Sequence, residues 1–150
     1  MRESERASLT GDPHVKDFTG RHSMYVGRPG EPMHILSAGR ASDPGWFELS
    51  GALAVWAPRP NTTVIASAEL RVRGASVVVR VGRGGRLVAV VRAAGERPRL
   101  LAWASPRDRG ETAHALTVAF LGPRIVEIAA PGMTARVERG FWRHRPSTFV

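Results

Sequence analysis

Hydrophobic and polar residues alternate with a period of two along most of this chain. The run "TTVIASAELRVR" sets Ala68, Leu70 and Val72 against Glu69, Arg71 and Arg73. Successive side chains of a strand point to opposite faces, so this alternation predicts a half-buried β-strand. "RHSMYVGR", with His22, Met24 and Val26 on one side and Ser23 and Tyr25 on the other, predicts an earlier strand, and "EPMHILSA" the next. "GWFELSGALAVWAP" carries Phe47, Leu49, Leu53, Val55 and Trp56, with Gly51 as a bulge or bend. In "ASVVVRVGRGGRLVAVVRAAG" two valine-rich runs flank Gly82-Arg83-Gly84-Gly85, which predicts a hairpin, because glycine reaches the positive φ of tight turns at little cost. "RPRLLAWAS", "HALTVAFLG", "PRIVEIAAP" and "MTARVERGFW" extend the series.

Turn residues punctuate these runs roughly every 8 to 12 positions. They include Pro29-Gly30, Pro44-Gly45, Pro58 to Asn61, Pro106 to Gly110, Gly122-Pro123 and Pro131-Gly132. No window keeps a 3.6-residue apolar period beyond about two turns. A short helical turn near Asp108 to Ala113 is the one helical expectation. The pattern predicts an all-β protein, an antiparallel β-sandwich of about eight or more strands. No linker or repeat divides the chain. We expect a flexible N-terminal segment over 1–10 and a single β domain over 11–150.

The net charge of +9 raises the question of an anionic partner. Nearly all the positive charge is arginine, with Lys16 the single lysine, a profile that GC-rich coding also produces. Arg71, Arg73, Arg80, Arg86, Arg92, Arg136 and Arg139 fall at strand positions or strand ends spread along the sequence. Single-stranded nucleic-acid sites interleave clustered arginine with exposed aromatics, and aromatics make up only 7% here. Dispersal on the wet faces of sheets is the simpler expectation, with nucleic acid not the expected partner. The chain has no cysteine, which excludes disulfides, thiolate metal sites and cysteine nucleophiles. The opening "MRESERASLT" lacks the apolar stretch of a secretory signal, and no run approaches a membrane span.

Motifs for catalysis are sparse, and we expect no enzyme. There is no G-x-S-x-G nucleophile elbow. His14 and His22 lie eight apart, and His22 and His34 twelve apart, neither a recognised metal-ligand spacing. "GRGGR" lacks the lysine and following helix of a phosphate loop. Asn61-Thr62-Thr63 is a glycosylation sequon, relevant only to a secreted chain.

"TGDPHVKDFTG" stands apart. Proline fixes φ and the preceding aspartate can bond a backbone amide two residues on, so Asp12-Pro13 reads as a turn that opens the first strand. The longer stretch "GDPHVKDFTGRHSMYVGRPGEPMHILSA" resembles the start of the von Willebrand factor type D domain. Gly11, Asp12, Pro13 and His14 match its opening tetrapeptide. Phe18 and Gly20 match its second element, and Tyr25, Gly27, Ile35 and Leu36 continue in register. The resemblance implies a cysteine-free, type D-like sandwich. It also implies a non-catalytic, extracellular-type interaction or adhesion module of a larger protein, with a protein or glycan partner. A basic module for anionic glycan or nucleic acid is the alternative. The family's calcium site is not matched: its aspartate position is Thr19, the acid has moved to Asp17, and "ERGFWRHRPSTFV" holds no Asn/Asp-rich loop. Calcium takes six to eight oxygen ligands, and no cofactor or metal is expected. The resemblance further implies a candidate self-cleavage site at Asp12-Pro13, with Asp12 as nucleophile and His14 as proton donor. The residues themselves imply only a turn.

Overall fold

Alternating runs become sheet where they lie side by side and pair their backbone groups. They do so here in a computed structural model, which describes residues 8–10, 14–16, 19, 21–24, 28–56, 59–103, 110–113, 116–139, 141–142 and 145–146. Strands β1 (Ser8–Thr10), β2 (His14–Lys16) and β3 (His22–Met24) form a three-stranded sheet. Six strands follow as a meander, each paired to the next: β4 (Pro32–Ala38), β5 (Phe47–Trp56), β6 (Arg59–Val72), β7 (Ala75–Val81), β8 (Leu87–Ala93) and β9 (Arg99–Ala102). A four-stranded meander comprises β10 (Gly110–Ala113), β11 (Leu116–Gly122), β12 (Ile125–Ala130) and β13 (Met133–Glu138). A ribbon of β14 (Phe141–Trp142) and β15 (Arg145–Pro146) ends the described chain. Every strand pair is antiparallel. The one helical piece among the described residues is a 3-10 turn at Arg83–Gly85.

The six- and four-stranded sheets share one core, which makes the antiparallel β-sandwich. From the larger sheet, Leu70, Val77, Val79, Leu87, Ala89 and Val91 are buried. From the smaller, Leu116, Val118, Phe120, Val126, Ile128 and Val137 meet them. Period-two alternation places all of these on inner faces, and burying each large aliphatic side chain contributes about 1.5–3 kcal/mol. A satellite cluster of Met33, Leu53 and Ile65, with Ile35 packed against it, extends the inner face toward edge strand β4. One backbone bond stitches the layers at one end, Leu87 N–H to Pro123 O at 2.9 Å, while Arg139 N–H to Arg124 O, also 2.9 Å, continues the β12–β13 ladder.

The hairpin expected at Gly82 to Gly85 is present, with Val81 opposite Leu87. The inward set Ala68, Leu70 and Val72 is buried, while Arg71 and Arg73 are exposed. Other expectations are corrected. Gly110–Ala113 is a strand paired with β11, not a helical turn, since a neighbouring strand offers more hydrogen bonds than one isolated helical turn. Gly51 is not the bulge: it keeps register with Met33 and Ala68, and the slips fall beside it, where Ile35 of β4 and Ala66 of β6 are the extra residues. Gly51 instead admits close packing, for a Cβ there would lie 3.4 Å from Ile65 Cγ2 and 3.6 Å from Ile35 Cδ1. Residues 59–61, expected in a turn, belong to β6. A strand at Ser8–Thr10 pairs with β2 ahead of position 11.

Candidate functional site

The opening motif is only partly visible. Gly11, Asp12, Pro13, Phe18 and Gly20 lie outside the described residues, and so does the Asp12-Pro13 bond. His14 starts β2, opposite Thr10 of β1 and Met24 of β3. Thr19 sits in an exposed turn. Asn61 lies in β6. Among the described residues no three His, Asp or Glu side chains converge on a metal site, and no helix is long and apolar enough to cross a membrane.

The outer face of the six-stranded sheet carries the chemistry that is described. Its β4–β6 half is polar. The extra residue Ile35 puts two consecutive side chains, Ile35 and Leu36, on the core side. That slip returns His34 and Ser37 to the same outer face, though they are three apart, and His34 Nε2 and Ser37 Oγ share a hydrogen bond of 3.0 Å. Across the sheet His34 stands opposite Ser50, Ser50 opposite Glu69, and Glu48 opposite Arg71. Arg71 donates from Nε to Glu69 Oε1 at 2.9 Å and from Nη2 to Oε2 at 3.3 Å. This hydrogen bond, the charge of Glu69 and that of Glu48 hold the Arg71 pKa above its ordinary value. These groups border a groove of about 400 Å³ floored by Ala52, Ser67 and Val78.

This half holds its charges in mutual contact. Both carboxylate oxygens of Glu69 are engaged by one guanidinium fork, a geometry that fixes both side chains. The His34–Ser37 pair has the nucleophile–base distance of a hydrolase, yet both residues are exposed. Such chemistry also needs an acid on the second ring nitrogen and donors for an oxyanion. Among the described residues no carboxylate bonds that nitrogen.

The β7–β9 half is apolar. Val78 faces Val90, Val90 faces Leu100, and Val88 faces Ala102, forming a cross-strand strip. Leu100 is 64% exposed. Arg80 and Arg92 stand in the same outer rows, opposite Val88 and Ser76. Sequence reading treated β7 and β8 as alternating strands and missed this strip. The available signal was the unbroken "SVVV" and "LVAVV", which make both faces apolar as far as the arginines.

The arginines expected on wet faces are there: Arg71, Arg73, Arg80, Arg86, Arg92 and Arg136 are exposed. Arg139 differs. It is half-buried, its Nη1 donates to Gly85 O, and burial and the charge of Arg124 lower its pKa. Compared with family models, curated proteins and solved structures, the chain matches none of them.

Proposed function

We propose that this chain is a non-catalytic interaction module of the extracellular, adhesive type, part of a larger protein, which binds a protein or glycan partner on the outer face of the six-stranded sheet. The observation that carries this reading is the Val78–Val90–Leu100 strip beside the ion-paired groove. A contiguous apolar patch rimmed by polar groups is the composition of an interaction surface. The strip supplies area to desolvate, and His34, Ser37 and Ser50 supply directional hydrogen bonds at its border. The likeness of Gly11 to His14, Phe18 and Gly20 to the von Willebrand type D opening supports the adhesive, extracellular setting.

The test is adhesion under flow. Beads bearing the chain are passed over surfaces coated with matrix protein or mucin glycan. Wild-type beads are retained on one of the coatings. The Val90→Asp/Leu100→Asp variant, melting at the wild-type temperature, is retained at least about tenfold less, as expected when central contacts are lost. Equal retention of the two proteins, or retention of neither, overturns the reading.

A further inference from the structure

We infer that the corner of the outer sheet face where Trp46 stands beside Arg92 binds a carboxylated pyranose, the acidic residue of a glycan. This rests on the outer-face reading and names the chemistry of its partner. Trp46 directly precedes the buried Phe47, so it takes the outer side of the sheet. Pairing aligns Arg71, Ser76 and Arg92 in one outer row across β6, β7 and β8. These four residues line a shallow hollow of about 370 Å³ floored by Ala75 and Ala93, with no carboxylate among its described walls. Ala75 is buried in the core and Ala93 packs against it, so the floor shows backbone to the outside and is flat. The aromatic wall is held in place. Trp46 N–H donates to Asp43 O at 3.2 Å and Arg40 N–H to Asp43 Oδ2 at 2.8 Å. Arg73 Nη1 donates to Ser42 O at 3.4 Å, which ties this loop to the β6–β7 turn. The indole is thus positioned before a ligand arrives, which lowers the ordering cost of binding.

The chemistry selects the ligand. Arg71 commits Nε and Nη2 to Glu69. Arg92 is exposed and, among the described residues, makes no hydrogen bond or ion pair, and the Trp46 indole N–H makes none either. A guanidinium fork matches a planar carboxylate with two parallel hydrogen bonds. The indole offers an electron-rich face and a donor at its edge. A carboxylated pyranose answers all of these groups at once. Its C–H face, slightly positive, lies on the indole, its carboxylate meets Arg92, and its hydroxyls reach Ser76 Oγ and the indole N–H. The row from Arg71 to Arg92 spans about 10 Å at the usual strand spacing, room for one sugar residue. One open guanidinium balances the single charge of a carboxylate, whereas a phosphate monoester carries nearly two. An extended acidic peptide has no flat apolar face to set on the indole.

The experiment is an NMR titration of the full chain with sialyllactose and with a hyaluronan tetrasaccharide, in ~150 mM NaCl, where long-range attraction is largely screened. Saturable binding of one or both is expected, and the arm that binds says whether the acid is a sialate or a uronate. Lactose, which lacks the acid, does not bind. Arg92→Gln weakens binding by about tenfold, while Arg80→Gln, which removes equal charge from the same sheet face, changes it less than about twofold. Trp46→Leu also weakens it by about tenfold, and melting temperatures establish that the three variants fold. The inference is overturned if neither acidic saccharide binds saturably, if lactose or an oligoglutamate peptide binds as tightly, or if Arg92→Gln and Arg80→Gln lose equally. Bead retention on matrix protein without any saccharide binding overturns this inference and leaves the outer-face reading standing. Saccharide binding with equal retention of the Val90→Asp/Leu100→Asp beads does the reverse.

Discussion

Gly84 and Gly85 both have φ of +71°, a left-handed backbone conformation that costs a residue with a Cβ roughly 1–2 kcal/mol. Their surroundings differ. A Cβ on Gly84 meets nothing within 4 Å, whereas one on Gly85 runs into the Arg139 guanidinium. The same guanidinium donates to Gly85 O, so a methyl group there must push it away and break that bond. Both alanine substitutions should therefore be destabilising, Gly85→Ala by about 1 kcal/mol more than Gly84→Ala, the value of one hydrogen bond. Urea denaturation measures both, and the control is a background carrying Arg139→Ala. There the two costs should become equal, because the contact that separates them is gone. A difference that survives in that background would mean that Arg139 is not what makes position 85 special.

At the scale of strands, the question is how firmly the two meanders hold each other. Phe120 of β11 is 2% exposed and packs within the shared core. Phe120→Ala should cost about 3–5 kcal/mol, because it removes buried area and leaves a cavity. Leu100→Ala, on the outer face, should cost under ~0.5 kcal/mol. A cost for Phe120→Ala near that of Leu100→Ala would dissolve the sandwich into separate sheets. The strands themselves were legible in the sequence because their pattern is local: Leu70 and Val72 alternate with Glu69 and Arg71 wherever the chain lies. The Gly82 to Gly85 turn was legible for the same reason. Bulges were not, since the extra residue at Ile35 or Ala66 is defined only by what the partner strand offers. Without the first of these, His34 and Ser37 would face opposite ways, so their pairing was hidden as well. β10 was missed because Gly110–Ala113 has no alternation of its own and becomes a strand only beside β11.

Across the whole molecule, two electrostatic effects oppose each other, and salt separates them. The exposed pairs Arg71–Glu69, Arg99–Glu96 and Arg136–Glu127, at 2.9, 3.2 and 3.4 Å, favour the fold and weaken as salt is added. Each such surface pair is worth about 0–1 kcal/mol, so together they give salt little to remove. The net charge of +9 acts the other way, since compaction forces like charges together. The Debye length falls from about 30 Å at 0.01 M to about 8 Å at 0.15 M, so their repulsion is screened over that interval. Repulsion should win. The melting temperature is expected to rise by a few degrees between those two salt concentrations, a scale set by roughly 1 kcal/mol for a chain of this size. An Arg83→Ser/Arg86→Ser variant should melt higher than wild type at low salt and gain less from added salt, because charges relieved by screening are already gone. Differential scanning calorimetry of the two proteins at both concentrations reads the sign directly. A wild-type melting temperature that falls with salt would mean that the ion pairs outweigh the repulsion. Equal gains in the two proteins would mean that Arg83 and Arg86 take no part in the repulsion.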